Sequence, residues 1–247
     1  MKYALIADIH SNIEALDAVL AHAAAQGATR RVFLGDLIGY GPDPVAVVER
    51  VRACVAAGDH AVLGNHDAAL RADEAESMNS EARAAMVWTR AQLDAAQTEF
   101  VSSLPLMLRE DGMTWVHASA AAPAQWPYIR DGLQAQASMA AAATPWVFSG
   151  HVHEPALFYA GRDERITPFY PSEGIAIPVA AHRQWLAVVG ACGQPRDQLV
   201  GARYALFDRA QCQLRFFRLP YDFHSTARKI RAAGLPERFA LHVEGRV

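Results

Sequence analysis

Short runs of apolar, β-branched and aromatic residues alternate with alanine-rich stretches of helical period through residue 150, after which the pattern becomes mostly strand. "YALIA" (3–7), "RRVFL" (30–34), "HAVL" (60–63), "MTWV" (113–116) and "WVFS" (146–149) read as buried strands. Residues 12–26, 43–57, 79–103 and 131–142 read as helices. The first part is therefore α/β in class. The second part carries "ALFYAG" (156–161), "QWLAVV" (184–189), "ARYALF" (202–207) and "QLRFFRL" (213–219), then a helix near 225–233 that Gly234 and Pro236 stop. No internal repeat and no long linker interrupts the pattern, so residues 1–247 read as a single domain.

Each of the five buried strands of the first part runs straight into polar residues. Asp8 and His10 follow the first, Asp36 the second, Asn65 and His66 the third, His117 the fourth, and His151 and His153 the fifth. Residues two apart in a strand point the same way, so Asp8 and His10 are expected to project together from the strand's end. In open α/β sheets the carboxyl ends of strands form the crevice where ligands bind, and five such ends can converge on one site. Taken singly, each histidine is an ordinary cap or core residue. Five of the ten histidines at these ends would require five unrelated accidents.

Carboxylate, amide oxygen and imidazole without thiolate suit Mn, Fe or Zn. The candidates exceed what one ion needs. Two divalent ions bring four positive charges, against two negative ones from Asp8 and Asp36, so the loaded site is net positive and attracts an anionic ester. Two ions about 3.5–4 Å apart can hold both the attacking and the leaving oxygens of an in-line displacement. Phosphoester hydrolysis is the leading chemistry.

Composition narrows the partners. A formal net charge of −3, with no run of Lys or Arg, gives no bulk attraction to a nucleic-acid backbone, so duplex nucleic acid is not an expected partner. Cys54, Cys192 and Cys212 are widely spaced and lack C-x-x-C spacing, which argues against a disulfide framework or a thiolate zinc site. The first apolar run stops at Asp8, too short for a signal-peptide core, and no stretch approaches membrane-spanning length. A cytoplasmic setting is expected, with no membrane partner.

"DIH" at 8–10, "GD" at 35–36, "GNHD" at 64–67, the "VHAS" histidine at 117 and "GHVH" at 150–153 closely resemble, in order and spacing, the calcineurin-like metallophosphoesterase superfamily. "DIHSNIEAL", "GDLIGYGPDP", "GHVHEP", "GQPRD" and the tail "LPYDFHSTARKIRAAGLPERFA" extend the likeness to a bacterial group of small phosphoesterases, over nearly the whole chain. The resemblance implies a four-layer α/β/β/α fold, a two-sheet β-sandwich flanked by helices, with a dinuclear centre at the strand ends. It implies that Asp8, His10 and His153 bind one metal ion, Asn65, His117 and His151 a second, and that Asp36 bridges them. A hydroxide shared by the ions would attack phosphorus. His66 is left as the acid for the leaving oxygen, with Asp67 positioning it. The implied substrates are small phosphomonoesters, phosphodiesters or nucleotide polyphosphates; the alternatives are a phosphoprotein phosphatase or a non-catalytic scaffold on the same fold. Two departures stand out. Val188, Val189, Gly190 and Ala191 replace an Asn-Pro-Gly-Ser common in related sequences, and Gly39 stands where protein phosphatases of the superfamily carry a dyad Asp.

Three further residues are candidates for substrate contact. "SNIE" at 11–14 has the form of a capping box, with Ser11 as N-cap and Glu14 reaching back, and leaves Asn12 beside the free amides of a helix N-terminus. Tyr40, within "GYGPDP", can flank a base or aryl group, and Arg196 can pair with phosphate as a bidentate donor.

Overall fold

In the computed structural model, which describes residues 1–71, 78–161 and 166–246, the strands form two six-stranded sheets. The first is built on β1 (Lys2–Ile6), β2 (Arg30–Phe33) and β3 (His60–Ala61), which run parallel. It continues from β1 antiparallel into β11 (Ala202–Asp208), β12 (Gln213–Leu219) and β9 (Ile177–Pro178). The second sheet runs β4 (Met107–Glu110), β5 (Met113–Val116), β6 (Trp146–Ser149), β10 (Trp185–Val188), β7 (Ala156–Ala160), β8 (Ile166–Phe169), with β5, β6 and β10 parallel.

Alternate residues of β1 explain the layers. Tyr3 and Leu5 face the other sheet and pack with Trp115, Phe148 and Phe207. Ala4 and Ile6 face outward against Leu16 and Val19 of α1 (Ile13–Ala25) and Val47 and Val51 of α2 (Pro44–Ala56). On the far side, Val147 and Leu186 pack against Ala135 and Met139 of α6 (Gly132–Ala142). Strands covered on both faces read as unbroken apolar runs, as "YALI" and "WVF" do. Each such large apolar side chain contributes about 1.5–3 kcal/mol by leaving water. The result is the expected α/β/β/α sandwich. Among the described residues, no helix is long and apolar enough to cross a membrane.

Several expectations are corrected in detail. The helix expected over 79–103 is two, α4 (Ser80–Gln92) and α5 (Ala95–Ser102), because Leu93 turns extended and Asp94 makes a reciprocal cap with Gln97. The first helix is capped by Asn12, whose Oδ1 accepts from the Ala15 amide at 3.1 Å, and not by Ser11. Glu14 pairs instead with Lys229 of α7 (Phe223–Ala232), at 2.6 Å. The helix expected near 225–233 does end before Gly234, as α7, but Pro236 then caps a further helix, α8 (Glu237–Val243), whose Phe239 and Val243 pack with Ile230 of α7.

Candidate metal centre

The carboxyl ends of β1, β2 and β3 in one sheet, and of β5 and β6 in the other, meet at one place. Asp8 and His10 reach it by a different route from the one the sequence suggests. β1 ends at Ile6, and both residues lie on the following turn with left-handed φ of 54° and 48°. Their amides, with that of Ser11, donate to the carbonyls of Gly35, Asp36 and Leu37 at 2.9–3.1 Å, so the loops after β1 and β2 stay laddered beyond the strands. Asp36, His151 and His153 are left-handed too, with φ of 53°, 67° and 70°. Conformations of this kind cost about 1–3 kcal/mol each and gather at functional sites, where the surroundings enforce them.

Two buried clusters result. In one, ligand atoms of Asp8, His10, Asp36 and His153 lie within 4.8 Å of one another; in the other, those of Asp36, His117 and His151 do so. Asp36 belongs to both. Asn65 Oδ1 lies 3.1 Å from His117 Nε2 and so joins the second.

The hydrogen bonds fix which ring nitrogens face inward. A carbonyl only accepts, so the contacts of Nδ1 in His10 with Ile38 O (3.2 Å), in His117 with Leu34 O (2.8 Å) and in His153 with Gln194 O (2.6 Å) place a proton on each Nδ1. In the neutral rings Nε2 then carries a bare lone pair. The Nε2 atoms of His10 and His153 face each other at 3.2 Å, and His117 Nε2 faces His151 Nδ1 at 3.2 Å. Among the described residues, His151 Nε2 has no partner. The bare lone pairs of His10 and His153, opposed at this distance, need a cation between them, and a carbonyl that accepts from the other ring nitrogen is the usual second shell of a metal-ligating histidine. The residues fit a metal.

The electrostatics agree. Burial pushes the His66 and His151 imidazoles down to about 4 and about 3, and those of His10 and His153 well below the usual range. Burial pushes the Asp8 carboxyl up to about 7. Burial also opposes ionisation of His117 and Asp36, but their mutual attraction outweighs it, holding Asp36 low and raising His117 to about 9. The centre wants positive charge beside Asp36 while most of its rings refuse protons.

His66 stands apart from both clusters. Its amide donates to Asp36 Oδ1 at 2.8 Å, and its ring packs against Tyr40, with centroids 4.3 Å apart, and His10 at 4.9 Å. Among the described residues, its Nδ1 is buried without a partner. A Cβ at Gly39 would lie 2.6 Å from that atom, and Gly39 has φ of 87°, so the His66 ring occupies space that any other residue there would fill. The expected role of Asp67 changes. Its carboxylate accepts from the amides of Leu37, Ile38 and Gly64, at 2.9–3.3 Å, and so ties the second loop to the third without touching the imidazole.

Above the clusters lies a cavity of about 380 Å³ lined in part by Asn65, His66, Tyr40 and Arg196. Asn12 does not line it. Its side-chain amide is spent on Gly193 O and Tyr221 Oη, at 2.9 and 3.2 Å, which leaves no free donor for a phosphate. The Val188–Ala191 segment is not in the lining either: Val188 and Val189 fill core, and the Ala191 amide donates to His153 O at 3.2 Å. Its apolar side chains therefore back the centre without facing substrate. Sequence reasoning missed Tyr128, which stacks on His151 with centroids 4.1 Å apart and planes 16° apart, and Trp126, both in the lining. "QWPYIR" at 125–130 offered no signal beyond two aromatics around a proline.

Comparison with known proteins places this geometry in context. An uncharacterized protein of Methanocaldococcus jannaschii is 30% identical over 245 residues, which cover 95% of this chain and 93% of that protein. A metallophosphoesterase from Sphaerobacter thermophilus is 34% identical and superposes with a TM-score of 0.88 over 100% of this chain and 99% of its own. A hypothetical protein from Pyrococcus horikoshii OT3, 18% identical, shares the fold with a TM-score of 0.80 over 98% and 97% of the two chains. The profile of the calcineurin-like phosphoesterase superfamily domain matches residues 1–211, which include every strand-end residue gathered at the centre, and the chain belongs to that superfamily.

Proposed function

We propose that the chain is a dinuclear metal-dependent phosphoesterase acting on small phosphate esters, including phosphodiesters and nucleotide polyphosphates. The observation that carries this reading is the pair of buried clusters sharing Asp36, with the Nε2 lone pairs of His10 and His153 opposed in one and the His117 and His151 ring nitrogens 3.2 Å apart in the other. Asp8, His10 and His153 would hold one ion, Asn65, His117 and His151 the other, and Asp36 both. Mn, Fe or Zn suits these oxygen and nitrogen donors. Such ions supply an activated water at neutral pH and charge for the attacking and leaving oxygens.

The chain's own residues do the rest. The backbone carbonyls of Ile38, Leu34 and Gln194 hold three rings in the ligating tautomer. His66 holds no place in either cluster and lines the cavity, so it is the group free to give a proton to the leaving oxygen. Burial keeps it neutral in the free protein, and an anionic ester entering the cavity favours its protonated form. Tyr40 packs against the His66 ring and fixes its place at the cavity wall.

The test compares protein purified without chelator, protein stripped of metal, and protein reloaded with manganese. Elemental analysis is expected to give two ions per chain in the loaded form. Hydrolysis of 4-nitrophenyl phosphate or its bis-aryl diester is expected to vanish on stripping and return on reloading. Saturation at one ion or fewer, or turnover indifferent to metal, would overturn the reading; full metal occupancy with no turnover on any phosphate ester would favour the scaffold alternative.

A further inference from the structure

The cavity over the metal centre adjoins a second one of about 250 Å³, and the two share Tyr40, Asn79, Tyr128 and Arg196. The second is walled by α8, which contributes Arg238 and His242. This helix lies beyond residue 211, where the match to the superfamily profile stops.

Arg196 stands where the two cavities join. It is half-buried, and no carboxylate among the described residues pairs with it. The adjacent Asp197 is taken by Arg203 and Arg218. Arg238 has a partner, Glu81, but at 3.8 Å and with both side chains largely exposed, at 60% and 44%. A pair so long and so wet is worth little and yields readily to a better anion. His242 is half-buried between these charges: burial, then Arg196 and Arg238, push its imidazole down to about 4. At neutral pH it is an uncharged ring able to donate or accept. Among the described residues of its lining, two guanidiniums stand against one carboxylate, a net positive balance. Guanidinium forks match phosphate oxygens two at a time, which a lone ammonium does not.

We propose that Arg196, Arg238 and His242 form a second anion subsite beside the metal centre, which takes a further phosphate group of the same substrate. The preferred substrates are then bisphosphates and phosphoanhydrides rather than simple monoesters. The proposal rests on the phosphoesterase reading above. Arg196 reaches both cavities and bridges the reacting phosphate and the second one. Glu81 competes with that second phosphate for Arg238. Because α8 also packs Phe239 on Tyr40, with centroids 4.8 Å apart, the subsite is fixed rigidly to the wall that holds His66.

The test reads binding rather than turnover. Calorimetry on manganese-loaded protein compares propylphosphonate with propane-1,3-bisphosphonate and methylenebisphosphonate, none of which is hydrolysed, with metal content checked after each titration. The bisphosphonates are expected to bind more tightly than the monophosphonate. Arg238→Ala is expected to remove about ten- to a hundred-fold of bisphosphonate affinity, the scale of a lost charge-assisted hydrogen bond, and a much smaller factor for propylphosphonate. Glu81→Gln, acting in the opposite direction, is expected to tighten the bisphosphonates. Equal affinity for the two kinds of ligand, or equal losses in Arg238→Ala, would overturn the subsite. Hydrolysis of 4-nitrophenyl phosphate by the wild-type chain is read in parallel. Its absence would count against the phosphoesterase reading alone, since the affinity ratio decides the subsite without it.

Discussion

At the floor of the cavity, His10, His117 and His153 are fully buried and tied through Nδ1 to backbone carbonyls, whereas at the rim Tyr128 and Arg238 are exposed to solvent, at 38% and 60%. The floor is made of strand ends and the turns that ladder them together; the rim is made of a loop and a C-terminal helix. Position is enforced by main chain in one and by side-chain contact in the other. The floor is thus suited to chemistry that tolerates little displacement, and the rim to selection among ligands.

Substitutions should break along this line. The largest effect is expected from Asp36→Asn. Asp36 belongs to both clusters, so the variant should lose metal from both and fall by more than about 10⁴-fold in turnover, the scale of several kcal/mol of charge stabilisation. Asn65→Ala should weaken one ion alone, as elemental analysis would show. Equal metal loss in the two variants would remove the distinction between a shared and a single-ion ligand.

A smaller loss is expected from His66→Gln, about 10²- to 10⁴-fold in turnover with metal content unchanged, the usual share of general acid catalysis. The deficit should be least for an aryl oxide, which departs without a proton, and greatest for alkyl or nucleoside leaving groups. Loss of an ion in this variant would move His66 into the floor's ligand set. At the rim, Tyr128→Ala removes a stacking contact worth about 0.5–1.5 kcal/mol, so roughly a two- to ten-fold change in kcat/KM is expected. Metal content and melting temperature should stay as in the wild type. A metal deficit in Tyr128→Ala would show that the rim also holds His151 in place, and the line between the two regions would shift.

The floor was legible in the sequence because its residues sit directly after apolar runs, where strand identity and site position are written in the same few letters. The sheets were legible for the same reason. What failed was geometry that depends on turns. Strand alternation predicts that Asp8 and His10 project together, but the chain passes them through left-handed conformations that no alternation rule describes. The capping register slipped by one residue, since Ser11 and Asn12 are both good caps by type, but Ser11 is left-handed, with φ of 52°, while Asn12 is extended and held by bonds to Gly193 O and Tyr221 Oη. Adjacency in sequence suggests that Asp67 serves its neighbour His66, but two of its three partners, Leu37 and Ile38, lie some thirty residues earlier. The rim was nearly illegible: Tyr128 and Arg238 carry no period, and α8 begins at a proline that elsewhere ends helices.

The division of the floor between the two sheets has a mechanical side. Asp8, Asp36 and Asn65 follow strands of one sheet, while His117, His151 and His153 follow strands of the other. Ions held between them would rivet the sandwich along a seam that the described residues cross through loops, as from the Cys192 amide to Ala7 O and from His117 Nδ1 to Leu34 O, and not through strand pairing. Binding to the folded chain alone adds about 2.7 kcal/mol of stability at a free concentration a hundred times the dissociation constant. Resistance of the two sheets to parting would then follow the metal supply, and scarcity would loosen the molecule at the very edge where its substrate enters.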